Sequence, residues 1–202
     1  MAGRTPGPTQ HGKHTGKIST PGPTRGSHGA ATAHGSGPLP KTNVIARVVI
    51  IYDAKSSNGT LYGVDGTGAV VLKSKVVVGG GGHTTPLGSF HGSYWEKDHT
   101  SSKYGHFADT PWSKSPFGVN AFGPYQLHMR ELESRGIYIH GTMGPSWNPS
   151  TELSALVSPT SHGCVRMNNA DDIRLRDLLP KPDSVPIVIS TNPADSPEAP
   201  RR

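Results

Sequence analysis

Val44-Ile45-Ala46-Arg47-Val48-Val49-Ile50-Ile51-Tyr52 is the stretch that decides the fold class. β-Branched side chains dominate it; they suit a pleated surface and crowd the preceding turn of a helix. It reads as a strand. Asn58-Gly59 fits a tight hairpin turn, Thr60–Val64 extends beyond it, Asp65-Gly66 turns again, and Ala69–Val78 returns as a third strand. Strands joined by turns this short form an antiparallel meander, because a parallel pair needs a long crossover. The glycine run Gly79–Gly82 has no following Gly-Lys-Ser/Thr and no helix signal, so it is not a phosphate loop.

Further along, Thr84-Thr85-Pro86-Leu87-Gly88-Ser89-Phe90 reads as a rigid turn leading back into extended chain. Residues 91–120 lack periodicity and carry Tyr94, Trp95, Tyr104, Phe107, Trp112 and Phe117, the pattern of a long lid or binding loop. Tyr125–Met129, Gly136–His140 and Val185–Ile189 read as further strands. Ser150 can cap one short helix, and Asn169 a second, with Asp171 and Asp172 in its first turn and Pro180 as its stop. The sum is a mainly β domain over residues 43–191 with one or two short helices and a long lid loop, and no internal repeat.

The ends differ in composition. Glycine and proline supply nine and six of the first 40 residues, and residues 1–47 hold six basic residues and no acidic one. The formal net charge of the 202-residue chain is +6, so the remainder sums to zero and the basic character belongs to the N-terminal segment. Residues 1–42 read as a disordered spacer, too poor in apolar surface to offset the entropy of ordering. Residues 192–202 read as a flexible, proline-bearing tail. The sparse charge and the lack of interleaved aromatics argue against nucleic acid as a partner. No apolar run reaches 18 residues, so no membrane-spanning helix is expected, and no apolar signal-peptide core is read in the first 30 residues.

Cys164 is the only cysteine, in Ser161-His162-Gly163-Cys164-Val165-Arg166-Met167. A lone thiol is either a buried structural residue or a nucleophile activated by a base. Metal is not expected: there is no second cysteine, and His91, His99 and His106 do not have ligand spacing. No cofactor motif occurs. No histidine follows His162, which excludes the papain order of cysteine before histidine. The bases left are His162 and the upstream set headed by His140, which ends the apolar run Ile137-Tyr138-Ile139. Gly163 beside the cysteine suggests a backbone role, in which the N–H groups of Gly163 and Cys164 face a developing oxyanion. The Gly141 carbonyl could accept the His140 Nδ1–H and set its tautomer. Ser161 suits a local turn bond. Arg166 fits either a substrate carboxylate or an internal ion pair.

Ile139-His140-Gly141 with Ser161–Met167 resembles the active-site signature of the L,D-transpeptidase (YkuD-like) catalytic domain. Val78-Gly79 with Thr85-Pro86-Leu87-Gly88-Ser89-Phe90 is similar to a second segment of that family, and the likeness covers roughly residues 44–190. The resemblance implies an L,D-transpeptidase-like β-sandwich with the cysteine in a cleft under a lid. It implies Cys164 as nucleophile, His140 as base with Gly141 as orienter, and His162 and Gly163 in the oxyanion loop. Ser161, Arg166, Tyr138 and Trp112 are the expected substrate contacts. Peptidoglycan stem peptides would be substrates, cleaved between residues 3 and 4 and transferred to an amine of a second stem. Water as acceptor would make a carboxypeptidase instead, and a non-catalytic wall-binding module is the third alternative. β-Lactams of the carbapenem class would be inhibitors, and the location would be the periplasm or cell wall. The interval of 20 residues between His140 and Ser161 is longer than the family usually has, and would enlarge the segment around Ser150.

Overall fold

The computed structural model describes residues 42–115, 118–144 and 161–200. The N-terminal segment, Phe117 and the helix expected at Ser150 lie outside the described residues. The described chain is mainly strand: β1 (Ile45–Tyr52), β2 (Asn58–Asp65), β3 (Val70–Val77), β4 (Gly88–Lys97), β5 (Tyr125–Met129), β6 (Tyr138–His140), β7 (Val165–Met167) and β8 (Pro186–Ser190), with one α-helix, α1 (Asn169–Leu178).

The strands close on themselves in the order β1-β2-β3-β7-β6-β5-β4-β8. The expected meander is β1 to β3, paired antiparallel. Two parallel pairs accompany it, β1 with β8 and β6 with β7. The two walls of the expected sandwich are therefore parts of one closed sheet, which leaves no open edge among its strands. Ile45, Val48, Ile50, Leu61, Leu127, Met129, Ile139, Met167, Ile187 and Ile189 fill the interior, all fully or almost fully buried. Each contributes about 1.5–3 kcal/mol of burial. Leu175 of α1 and Leu179, the residue that follows its end, join the same core, and the Trp95 indole N–H donates to the Leu179 carbonyl at 2.7 Å, which ties the helix end to β4.

Four local expectations are corrected. Asn58-Gly59 are not the turn but the first residues of β2, and Gly59 faces Tyr52 so closely that a Cβ there would lie 2.6 Å from the Tyr52 Cβ. The turn is Asp53–Ser57: the Asp53 carboxylate accepts Lys55 N–H and Ser56 Oγ–H, and Ser57 takes a positive φ of 58°. The segment 91–120 is not loop throughout, because β4 runs to Lys97. Its first half pairs with β8 and its second with β5 across a bulge between Gly92 and Trp95, which hides the alternation. The helix cap is Asn168, which accepts from Asp171 N–H, whereas Asn169 lies in the helix and is fully buried. Residues 192–200 are not featureless: Asn192 caps a short 3-10 turn at Pro193–Asp195, and Glu198 meets Lys73 at 2.6 Å.

Candidate active site

Cys164 immediately precedes β7, and His140 ends β6. These two short strands lie side by side in parallel, with Ile139 opposite Val165 and His140 opposite Arg166. Residues separated by 24 positions in sequence are thereby brought to one end of one strand pair. Both line a single cavity of about 480 Å³, together with Tyr138, Ser161, His162 and Arg166. Trp112 does not line it. Its indole N–H is used on the Gly144 carbonyl at 3.1 Å, so it braces a loop rather than facing a ligand. Tyr94 likewise stacks on His128, ring centroids 4.0 Å apart. The residues of this region that do line the cavity are Tyr104, on a 3-10 turn over Ser102–Phe107, together with Lys103 and Phe122. Tyr104 was among the aromatics that marked this loop in the sequence, but no periodicity distinguishes it from Tyr94 or Trp112, and Lys103 and Phe122 gave no signal.

The loop that carries the thiol is held from beneath. Gly79, just past β3, makes an isolated parallel bridge with Ser161. The buried Thr85 hydroxyl accepts the Gly79 N–H at 2.8 Å and donates to the Gly163 carbonyl at 2.9 Å. The Thr85 carbonyl in turn accepts the Tyr52 hydroxyl at 3.0 Å. Gly163 has φ of 109°, which only glycine adopts without strain. Ser161 Oγ donates to the Cys164 carbonyl at 2.6 Å, so its hydroxyl is a brace within the loop although the residue borders the cavity.

His140 is 3% exposed, and its Nδ1–H donates to the Gly141 carbonyl at 2.7 Å. A carbonyl only accepts, so this bond assigns the proton to Nδ1 and leaves Nε2 as a lone-pair acceptor. Burial pushes the imidazole pKa down to about 3; the Gly141 carbonyl opposes this, and the nearby charge of Arg166 adds to it. Burial pushes the Cys164 thiol up to about 11, opposed by the Tyr138 backbone N–H and by Arg166. The resting pair is therefore neutral thiol beside neutral imidazole, not an ion pair. The thiol donates to the Gly136 carbonyl at 3.5 Å rather than to His140. His162 is exposed where it borders the cavity, its ring 4.4 Å from that of His83. Among the described residues no cluster of three histidine, cysteine or acidic residues could hold a metal ion, and no helix is long and apolar enough to cross a membrane.

The sequence model of the L,D-transpeptidase catalytic domain matches residues 47–189. No curated protein matches the chain. Among solved structures it is similar to an L,D-transpeptidase from Mycobacterium smegmatis, with 22% identity, TM-score 0.43, and 71% of this chain and 58% of that one covered. An L,D-transpeptidase from Xylanimonas cellulosilytica gives 21% identity and TM-score 0.44 over 76% of this chain and 64% of that one. L,D-transpeptidase 3 from Mycobacterium tuberculosis, in complex with a faropenem-derived adduct, gives 20% identity and TM-score 0.40 over 71% and 60%. The chain thus spans about three-fifths of the length of these structures. With the family match covering most of the closed sheet and both strands of the thiol–imidazole pair, this chain belongs to the L,D-transpeptidase catalytic domain (YkuD) family.

Proposed function

We propose that the chain is a cysteine acyltransferase that cleaves peptidoglycan stem peptides between residues 3 and 4 and passes the acyl group to an amine of a second stem. The observation that carries this reading is the opening of Cys164 and His140 into one cavity, with the His140 Nδ1–H fixed on Gly141. Nucleophile, base and orienter are the three parts that covalent acyl transfer needs.

The sequence of steps follows from the protonation states. The Cys164 side chain turns from Gly136 towards His140, and Nε2 takes the thiol proton as Sγ attacks the stem carbonyl carbon. Because the pair rests neutral, charge develops only on attack, where aimed backbone N–H donors rather than burial would stabilise it. The Gly163 carbonyl is engaged by Thr85, so in a trans peptide the Cys164 N–H points the opposite way. That N–H, with those of Gly163 and His162, is the oxyanion donor set. Collapse breaks the C–N bond, His140 returns the proton to the leaving D-alanine amine, and a thioester remains. The second amine attacks the thioester, gives its proton to His140, and the C–S bond breaks as the thiol is reprotonated. The Arg166 charge beside the thiol suits a substrate carboxylate. A periplasmic or wall location goes with such a substrate.

Mass spectrometry of the intact protein with a carbapenem tests the acyl-enzyme. A covalent adduct on Cys164, absent from Cys164→Ala, is the expected result; no adduct on folded protein overturns it. Incubation with tetrapeptide stems then separates cross-linked dimer from tripeptide, that is, transfer from hydrolysis.

A further inference from the structure

The inner side of α1 is unusual for a helix packed on a core. Residues 169, 172 and 175 succeed one another at i, i+3 and i+6 and are all fully buried, yet the first two are Asn169 and Asp172. A buried carboxyl costs free energy unless something takes its oxygens. Here the partners are backbone amides next to the base. The β5–β6 ladder ends at Gln126 opposite His140, so the next amides, Tyr125 N–H and Gly141 N–H, have run out of strand. Asp172 Oδ2 accepts the Tyr125 N–H at 3.0 Å, and the nearby Gly141 N–H opposes the rise of its carboxyl pKa. Asn169 continues the pattern one residue on: its Oδ1 accepts the Thr142 N–H at 2.7 Å, and its Nδ2 donates to the Gly144 carbonyl at 2.5 Å.

The second of these contacts bears on the base. Thr142 N–H and the Gly141 carbonyl belong to one peptide plane and point in opposite directions. Holding the N–H on Asn169 therefore aims the carbonyl at His140 Nδ1, where it accepts at 2.7 Å. The space is filled as well. A Cβ on Gly141 would run into Asn169 Oδ1 and lie 3.0 Å from Asp172 Oδ2.

We propose that Asn169 and Asp172 are positioning residues for His140: the first turn of α1 replaces the missing strand partner, fixes the planes of the two peptides after the base, and thereby fixes the His140 tautomer and ring orientation. This rests on His140 acting as the base, but the tautomer itself is a property of the resting protein and can be read without turnover. Burial holds the Asp172 carboxyl well above the ordinary carboxylate range, so the uncharged amide of Asp172→Asn offers the same acceptor in the same form.

The test compares Asp172→Val and Asn169→Leu, which remove the acceptors, with Asp172→Asn, which keeps one. Imidazole nitrogen chemical shifts of ¹⁵N-histidine-labelled protein, assigned with His140→Gln, report the tautomer. Carbapenem acylation reports the chemistry, resolved into initial affinity and acylation rate. Wild type and Asp172→Asn are expected to carry the Nδ1–H form, and the two apolar variants a mixed population. Acylation in the apolar variants should fall by about 100-fold, the scale of a misplaced catalytic group, with initial affinity unchanged. An Nδ1–H tautomer and wild-type rate in folded Asp172→Val and Asn169→Leu would overturn the proposal. Should neither fold, Asp172→Asn decides it: loss of the tautomer in that folded protein overturns the proposal, and retention supports it. A wild-type protein that never acylates would count against the acyltransferase reading, while the tautomer comparison would still stand.

Discussion

Thr85 and Gly163, 78 positions apart, are joined by a buried hydroxyl-to-carbonyl hydrogen bond of 2.9 Å. The same hydroxyl accepts the Gly79 N–H, so one side chain couples the end of β3 to the loop that carries the thiol. Thr85→Val keeps the shape and removes both bonds. Each buried group left without a partner costs about 1–3 kcal/mol, so with two such groups a loss of about 2–6 kcal/mol is expected. For a domain of this size that lowers Tm by roughly 5–20 °C. Thermal unfolding checks the stability, and carbapenem acylation of the folded variant, expected to be slower, checks that the Gly163–Cys164 peptide has moved.

Gly79 offers a sharper steric test of the same coupling. An added Cβ would strike the His83 carbonyl and lie 2.7 Å from Gly163 Cα and 2.8 Å from Gly163 N. All of these are backbone atoms that cannot rotate away. Gly79→Ala is expected to lose acylation and to lower Tm, whereas Gly81→Ala or Gly82→Ala, with nothing within 4 Å of the added atom, should show only the milder strain of their positive φ. Equal acylation rates for Gly79→Ala and wild type would show that the loop does not depend on this contact.

The protonation states predict a pH dependence. An ion pair would make the thiolate available across neutral pH, and alkylation by iodoacetamide would reach a plateau there. With the Cys164 thiol pushed up to about 11 and His140 down to about 3, both groups stay neutral between those values. Thiolate then grows about tenfold per pH unit below the thiol pKa. The alkylation rate of the resting protein is expected to climb log-linearly from pH 6 to pH 10. A plateau between pH 6 and pH 8 would contradict the neutral pair.

Much of the fold was open to reading because β1 and β3 consist of β-branched runs, and β5 was legible to the residue. What escaped was short or interrupted. β7 has three residues, too few for any alternation, and takes its conformation from its neighbours β3 and β6. Glycines and the bulge disguised β4. At the site, the hydrogen bond from His140 to the Gly141 carbonyl and the local backbone bond of Ser161 followed from residue chemistry and local spacing. Trp112 was misplaced as a contact because an aromatic in an aperiodic loop gives no direction. Asp172 was read as a dipole partner at the helix start; Asp171 pairs with the Asn168 cap instead, and one position of helical rotation, about 100°, turns Asp172 into the core.

Charge around the cavity carries the last prediction. Among the described residues, its lining includes Lys103, Arg135 and Arg166 and no aspartate or glutamate. Lys103 and Arg135 are exposed, so their fields act on an approaching ligand through water and are screened over about 10 Å at 0.1 M salt. Stems carrying free carboxylates should therefore bind better than stems whose carboxylates are amidated, and added salt should narrow the difference. Neither side chain takes part in the chemistry, so replacing both, as Lys103→Ala with Arg135→Ala, is expected to raise KM several-fold for the free-carboxylate stem and leave kcat close to wild type. KM for the amidated stem should change little. Steady-state kinetics on the two stems at low and high salt check this, and an equal rise in KM for both stems would assign these residues to packing rather than to charge recognition.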